Sequence, residues 1–452
     1  MKKDDLELKK IVITSLEELL NSAANGGEAS TSKRRKVTRK RQPPTGPPIK
    51  NPELRFYDPG ERKFYDKLDN EQKQYIAGLE TCIRDMNKED TPLRFKILMS
   101  KIDEKIKAIA IKKLRYLFDM DESTTEYYKM TNWIEALCKL PIGRYKPLPI
   151  NNTSSIDDIR GFIHTTKEKL DATVYGHDDA KDQIIRLLAQ WISNPESKGM
   201  VLGIHGPPGC GKTLISKNGI SKALDLPFAF LTLGGASDAS WLDGHSYTYE
   251  GSTWGKIVDI LMKSEYMNPV LYLDELDKVS NTYKGEEIIN LLIHMTDSTQ
   301  NEKFMDKYFV DVEFDLSRCL IIFSYNDESA INPILKDRMI KIRTDGYKIE
   351  DKVKISHKFL LPELMLQFNM KNEDLIFTDD HIKYIINNKI DEEEGVRNLK
   401  RGLELVISNI NLHRLLTPDE VTFPYRVTDD LINKYIKRPK DKALGKIATM
   451  YM

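Results

Sequence analysis

The sequence lacks the features that mark membrane, secreted and metal-cysteine proteins. No uninterrupted apolar run approaches the roughly 20 residues that span a bilayer, and the charged start MKKDDLELKK contains no apolar signal-peptide core. The four cysteines, Cys82, Cys138, Cys210 and Cys319, are scattered and fit no metal-ligand spacing, which favours reduced thiols. We therefore expect an intracellular protein, cytoplasmic or nuclear, that does not associate with membranes.

The chain also lacks an excess of charge of either sign. Lys+Arg and Asp+Glu number 69 each, so a nucleic-acid partner would require a local basic cluster. Residues 33–41, KRRKVTRKR, form such a cluster within residues 1–55, where large apolar side chains are rare after Leu20. We predict that 1–55 is a disordered basic tail. Its basic block is a solvated linker, a nuclear-localisation signal or a contact for nucleic acid.

Residues 56–150 are predicted to form a helical arm. In this region Leu98, Ile102 and Ile106 recur at three- to four-residue spacing, with lysines filling the other face. The segment PIGRYKPLP breaks the pattern and predicts a linker.

The hydrophobic pattern changes after the arm. Residues 151–348 contain the short apolar runs VLGIHG, PFAFLTL, PVLYLDE, CLIIFSYND and IKIRT, which alternate with helical stretches. This alternation predicts an α/β domain with a parallel sheet covered by helices on both faces. Residues 349–437 are predicted to form an α-helical lid, followed by a C-terminal tail at 438–452.

A phosphate-binding motif follows the first apolar run. The motif GxxxxGK[ST] consists of Gly206, Pro207, Pro208, Gly209, Cys210, Gly211, Lys212 and Thr213. It lies between a predicted strand and a predicted helix, which is the context that this motif requires. Backbone N–H groups of the loop would surround the phosphates of ATP, Lys212 would reach the outer phosphates, and Thr213 would ligate Mg²⁺.

A pair of carboxylates follows the buried run VLYL. Asp274 is predicted to hold Mg²⁺ and Glu275 to act as the general base that polarises the attacking water. Asp277 is either a residue that supports this pair or an exposed residue at a helix start, and the sequence slightly favours exposure.

Two further polar residues are candidates for catalysis. Asn326 follows the run LIIFSY, where it would orient the water or serve as a turn residue. Arg338 precedes the next predicted strand and suits an arginine finger for the nucleotide of an adjacent subunit. The alternative for Arg338 is an ion pair with Asp337 in the same chain.

The stretch from Tyr175 to Met370 resembles the ATPase region of Lon proteases. The resemblance is carried by YGHDDAKDQIIRLLAQ, LTLGGASDASWLDGHSYTYEGSTWGKI, LDELDK, LKDRM and FLLPELM. Upstream, TEYYKMTNWIEALCKLPIGRYK resembles the helical segment before the Lon ATPase. This resemblance implies a P-loop AAA+ fold, with a helical arm before it and a helical lid after it.

The same resemblance implies further site residues. Tyr175 and Gly176 would border the adenine, and Arg397 in EGVRNL would be the sensor-2 contact to the γ-phosphate. Tyr249 and Tyr283 would lie in loops that face the central pore of a hexameric homo-oligomer. There an aromatic ring would contact an unfolded or folded protein substrate. The alternative for Tyr249 is a packed loop residue.

The sequence departs from Lon in having no Ser–Lys peptidase motif, so we expect ATP hydrolysis without peptidase activity. A protein-remodelling or unfolding motor is the leading hypothesis. A nucleic-acid motor or loader is the first alternative, although HSYTYEGSTWG contains no Lys or Arg. A nucleotide-regulated scaffold is the second, and the combination of Glu275, Asn326, Arg338 and Arg397 argues against it.

Overall fold

The computed structural model describes residues 57–87, 91–195, 197–236, 238–249, 251–418 and 420–437. The predicted basic tail, its block at 33–41 and the predicted C-terminal tail therefore lie outside the described residues. The chain divides into two compact units, Met1–Asp90 and Thr91–Met452. Among the described residues, no helix is both long enough and apolar enough to cross a membrane.

Two helices are described in the first unit, α1 (Pro59–Lys67) and α2 (Asn70–Asn87). Helix α1 begins where the Asp58 carboxylate accepts hydrogen bonds from the backbone N–H groups of Gly60 and Glu61. The Glu61 side chain in turn accepts from the Asp58 N–H, which completes a capping box.

The second unit contains the remaining helices and all the described strands. Its helices are α3 (Leu93–Met99), α4 (Glu104–Phe118), α5 (Thr125–Lys139), α6 (Ile156–Thr173), α7 (Asp178–Ser193), α8 (Lys212–Leu214, continuing through the π-helical Ile215–Ser221 into Lys222–Leu224), α9 (Ser240–Asp243), α10 (Lys256–Ser264), α11 (Tyr283–Thr296), α12 (Pro333–Asp337), α13 (Ile349–Ile355, continuing through the π-helical Ser356–Leu360 into Leu361–Gln367), α14 (Asp379–Asn388), α15 (Arg397–Leu416) and α16 (Asp429–Tyr435). Its strands are β1 (Val201–His205), β2 (Phe228–Thr232), β3 (Val270–Asp274), β4 (Phe304–Met305), β5 (Glu313–Phe314), β6 (Leu320–Tyr325), β7 (Ile340–Arg343), β8 (Leu375–Ile376) and β9 (Tyr425–Arg426).

Five strands form the central sheet in the order β2-β3-β6-β1-β7, with every neighbouring pair parallel. Side chains along β3 alternate between two cores: Leu271 and Leu273 pack into one, whereas Val270 and Tyr272 pack into the other. Helices contribute to both cores, so both faces of the sheet are covered. The predicted α/β fold with a parallel sheet and helices on both faces is confirmed.

Part of the predicted arm shares a core with the sheet. Apolar residues of α3, α4 and α5 belong to the same cluster as one face of the sheet. Trp133 of α5 is buried there, and its indole N–H donates to the Tyr308 carbonyl over 3.1 Å. The segment from Leu93 onward therefore packs as an extension of the α/β domain, and the boundary at 150 stays a prediction.

Residues after Ile349 have their own hydrophobic core. It is built from α13 to α16 and the short parallel pair β8 and β9. This helical lid meets the phosphate-binding loop around residues 395–397.

Candidate functional site

Three neighbouring strands deliver polar residues to one edge of the sheet. The loop 206–211 follows β1, Asp274 ends β3, and Asn326 follows β6, which lies between those two strands. They line an open cleft of about 1420 Å³ that the lid also borders. A crevice at the carboxyl ends of parallel strands is where open α/β sheets bind ligands.

The loop conformation depends on glycine at specific positions. Gly209 and Gly211 have φ of +81° and +85°, a region that disfavours side chains. A Cβ on Gly206 would lie 2.1 Å from the Thr344 carbonyl oxygen. The predicted motif therefore has the backbone that a phosphate-binding loop needs, with helix α8 starting at Lys212.

Lys212 is held inside this loop. Its Nζ donates to the carbonyls of Gly206 and Pro207 over 2.5 and 3.1 Å and to Asn326 Oδ1 over 2.6 Å. Burial lowers the pKa of Lys212 from its usual value. The ammonium therefore lies among acceptors that phosphate oxygens can replace.

The predicted magnesium ligands lie on either side of a buried phenol. Thr213 Oγ1 is 3.1 Å from the Tyr272 hydroxyl, which donates to Asp274 Oδ1 over 3.5 Å. Hydroxyl and carboxylate oxygens are the donors that Mg²⁺ prefers, so this set fits the ion. Burial raises the pKa of Tyr272 to about 12, which keeps the phenol protonated.

Glu275 adopts a left-handed backbone conformation directly after β3, with φ of +60°. Its N–H donates to Asp274 Oδ1 over 3.1 Å. A Cβ on Gly234 would lie 2.2 Å from Glu275 Oε2, so the absence of a side chain at Gly234 leaves room for this carboxylate. The carboxylate lines the cleft beside Asp274.

Asp277 supports the turn that carries Asn326. Its side chain is 1% exposed, and its Oδ2 accepts from the Asp327 N–H over 3.3 Å. The prediction of an exposed Asp277 is therefore wrong, because its carboxylate faces the backbone that follows β6.

The lid contacts the phosphate-binding loop backbone to backbone. The Val396 N–H donates to the Gly209 carbonyl over 3.3 Å, and a Cβ on Gly395 would lie 2.2 Å from the Pro208 carbonyl oxygen. Arg397 begins α15 and lines the cleft. The backbone contact thus places Arg397, the predicted sensor residue, directly beside the phosphate-binding loop.

Tyr175 lines the other border of the cleft, and Gly176 follows it in the chain. Two aromatic residues that the sequence did not indicate, His177 and Tyr347, lie close by. His177 Nε2 is 2.8 Å from the Tyr347 hydroxyl and 3.0 Å from the Cys210 carbonyl, and Tyr347 also donates to that carbonyl over 3.1 Å. Burial lowers the pKa of His177. Tyr347 is far away in sequence and belongs to no motif, so only the fold reveals it.

Arg338 lies outside the cleft of its own chain. Its guanidinium donates to Asp297 Oδ2 over 2.9 Å and to the Ile293 carbonyl, both at the end of α11. The alternative for Arg338 is an ion pair within its own chain, and the structure shows one. Its partner is Asp297 instead of the expected Asp337.

The two predicted pore tyrosines project from the surface. Tyr249 is 69% exposed and Tyr283 is 78% exposed. The loop that carries Tyr249 is closed at its neck, where the His245 N–H donates to the Thr253 carbonyl over 3.1 Å. Below the neck, the buried Asp306 accepts from the Gly255 N–H over 2.8 Å.

Comparison with known proteins identifies relatives of this chain. Residues 202–346 match the AAA family, the ATPase family associated with various cellular activities. A Lon protease homolog of Acanthamoeba polyphaga mimivirus is 37% identical over 340 residues, covering 74% of this chain and 32% of the relative. Lon protease of Cytophaga hutchinsonii is 35% identical, covering 77% and 42%. The mitochondrial Lon protease homolog of Yarrowia lipolytica is 32% identical, covering 77% and 29%.

The chain thus spans less than half the length of these curated relatives. The residues that match the AAA family include the phosphate-binding loop, the Asp274–Glu275 pair, Asn326 and Arg338. The predicted resemblance is confirmed, and the chain is a Lon-like member of the AAA+ ATPases.

Proposed function

We propose that this chain is an ATP-hydrolysing motor of Lon type that remodels or unfolds protein substrates as a homo-oligomeric ring, hexameric by resemblance. One observation carries the proposal. The cleft brings together a phosphate-binding loop, Lys212, the Asp274–Glu275 pair and Asn326, with Arg397 of the lid against the loop. A site that only bound nucleotide would not need Glu275 or Asn326.

ATP binding would use groups that the cleft already positions. Backbone N–H groups of the loop and the N-terminus of α8 would receive the phosphates. The Lys212 ammonium would exchange its loop carbonyls for phosphate oxygens. Tyr175 and Gly176 would border the adenine, beside Tyr347.

Thr213 and Asp274 would hold Mg²⁺, which neutralises charge on the phosphates when it is bound. Both of their side-chain oxygens lie within hydrogen-bond distance of the Tyr272 hydroxyl, and both residues line the cleft. Asn326 uses its Oδ1 for Lys212, which leaves its amide N–H₂ to orient the attacking water or the γ-phosphate.

Hydrolysis would follow from the position of Glu275. Its carboxylate takes a proton from water as the water oxygen forms a bond to the γ-phosphorus. The bond from that phosphorus to the bridging oxygen breaks, and its electron pair leaves with ADP. Arg397 of the same chain and Arg338 of a neighbouring subunit would stabilise the charge that develops on the γ-phosphoryl oxygens.

The lid would transmit the state of the nucleotide. Because residues 395–397 touch the loop directly, release of the γ-phosphate would change the contacts that position α15. The exposed rings of Tyr249 and Tyr283 would contact substrate, since an aromatic surface binds many sequences of extended protein.

Phosphate release from ATP by the full chain tests this proposal, measured with and without an unfolded protein. We expect turnover that the unfolded protein stimulates, and Glu275→Gln should bind ATP without releasing phosphate. A turnover rate that unfolded protein leaves unchanged but single-stranded nucleic acid raises would instead support the nucleic-acid motor. That alternative depends on the basic block at 33–41, so deletion of the block should then abolish the response. Tight binding and assembly without turnover would support the scaffold.

A further inference from the structure

A buried phenol joins the two predicted magnesium ligands. Tyr272 is on the central strand β3 and is 0% exposed. Its hydroxyl lies 3.1 Å from Thr213 Oγ1 and 3.5 Å from Asp274 Oδ1. No predicted step of ATP hydrolysis uses Tyr272.

The chemistry of these groups sets the direction of each hydrogen bond. An ionised carboxylate only accepts, so the single phenolic hydrogen of Tyr272 points to Asp274. The phenolic oxygen then accepts from the Thr213 hydroxyl, which makes Thr213 the donor of that hydrogen bond. A threonine that donates its hydrogen to Tyr272 keeps its oxygen lone pairs free to face the cleft.

The ring of Tyr272 is fixed by its surroundings. Phe230 of β2 stacks on it with ring centroids 5.6 Å apart and an angle of 23°, and Phe228 lies 5.8 Å away. A buried ring that packs against aromatic neighbours has few rotamers. The hydroxyl therefore occupies one position with respect to both ligands.

We propose that Tyr272 is a positioning residue for magnesium. It orients the Thr213 hydroxyl and the Asp274 carboxylate so that the lone pairs of both face the same point in the cleft. This role rests on the proposed ATPase function, since it concerns the ion that accompanies the nucleotide. Groups that orient metal ligands in this way alter metal affinity by about 10- to 100-fold when they are removed.

The test is Tyr272→Phe in the full chain, which keeps the ring and removes only the hydroxyl. Binding of a fluorescent ADP analogue is measured in EDTA and across a Mg²⁺ titration, and phosphate release from ATP is followed across the same titration. We expect the Mg²⁺ concentration at half-maximal effect to rise about 10-fold in both measurements. Affinity for the analogue in EDTA should be unchanged.

Tyr325→Phe is the matched control. Tyr325 is a buried tyrosine on β6, in the same sheet, and its hydroxyl has no hydrogen-bond partner among the described residues. Its loss should leave the Mg²⁺ midpoint at the wild-type value. A general effect of removing a buried hydroxyl from this sheet would appear in both variants.

Two results would overturn the inference. One is a wild-type Mg²⁺ midpoint in Tyr272→Phe. The other is a loss of affinity for the ADP analogue that is as large in EDTA as in Mg²⁺, which would indicate a structural role. If the wild-type chain binds nucleotide but releases no phosphate, the proposed hydrolytic function fails. The binding titration then still decides the role of Tyr272.

Discussion

The nucleotide cleft and the loop that carries Tyr249 differ in whether their side chains find contacts within the same chain. In the cleft, Lys212, Asn326 and Asp274 already contact other groups of the same chain. Tyr249 and Tyr283 instead expose most of their rings. The groups of the proposed nucleotide site are thus largely positioned by the fold of one chain, whereas the proposed substrate contacts need another molecule to complete them.

Arg338 is the exception among the proposed nucleotide-site residues, because it lies outside the cleft of its own chain and would act on a neighbouring subunit. We expect Arg338→Ala to lower turnover about 10³-fold while nucleotide binding is retained, as for an arginine supplied by a neighbour. Mixing this variant with Glu275→Gln, which keeps Arg338, should restore some turnover at hybrid interfaces.

Asp297→Asn is the control for Arg338. It removes the ion pair between Asp297 and the guanidinium but leaves the arginine in place. If both variants lost turnover equally, the ion pair within the chain would be what matters, and the role at a neighbouring site would be wrong.

Glu275→Gln should lower turnover about 10²-fold or more, because an amide cannot accept the proton of the attacking water. Nucleotide affinity should persist. Glu265→Gln is a suitable control, since Glu265 shares the left-handed backbone conformation but precedes β3 at the opposite end of the strand. Phosphate release measures both. Unchanged turnover in Glu275→Gln would contradict the role of Glu275 as the general base.

Tyr249→Ala should spare the cleft and affect only the substrate. We expect basal turnover at the wild-type value and an unfolded-protein concentration for half-maximal stimulation about 30-fold higher, equivalent to about 2 kcal/mol. Tyr249→Phe should retain stimulation because it keeps the ring. If alanine changed basal and stimulated turnover by the same factor, Tyr249 would be a structural part of the subunit.

The smallest expected effect concerns the neck of that loop. Asp306 accepts backbone hydrogen bonds from Gly255 and Tyr308, each over 2.8 Å, and Asp306→Asn offers only one acceptor oxygen. We expect the free energy of unfolding at pH 7 to fall by about 1 kcal/mol, measured by denaturant titration.

The same residue predicts a pH dependence. Burial raises the pKa of Asp306 to about 6, whereas an unfolded Asp titrates near ~3.9. The folded chain then binds more protons between these values, so the contribution of Asp306 to the free energy of unfolding falls as pH rises from about 4 to about 6. Asp306→Asn should lack this part of the pH profile. An identical profile in both proteins would contradict it.

Local motifs explain why much of the cleft could be predicted. The loop 206–213 and the pair Asp274–Glu275 are continuous in sequence, and parallel strands bring their carboxyl ends to one edge. Asn326 was predicted for the same reason. The parallel sheet followed from buried apolar runs bounded by helical stretches.

Contacts between distant segments account for what the sequence did not reveal. Tyr347, in the segment after β7, reaches His177 only in the folded chain, and Gly234 leaves room for Glu275 only when β2 and β3 pair. The partner of Arg338 is Asp297 rather than the neighbouring Asp337 because α11 ends beside it. None of these pairs has a sequence signature.

ATP-driven unfolding of a folded fluorescent protein with an unstructured tail tests directly whether this chain is an unfolding motor. We expect loss of fluorescence with ATP and the full chain, and none with Glu275→Gln or a non-hydrolysable analogue. Tyr249→Ala should hydrolyse ATP yet fail to unfold the reporter. Robust ATP turnover by the wild-type chain with the reporter bound but intact would contradict an unfolding motor.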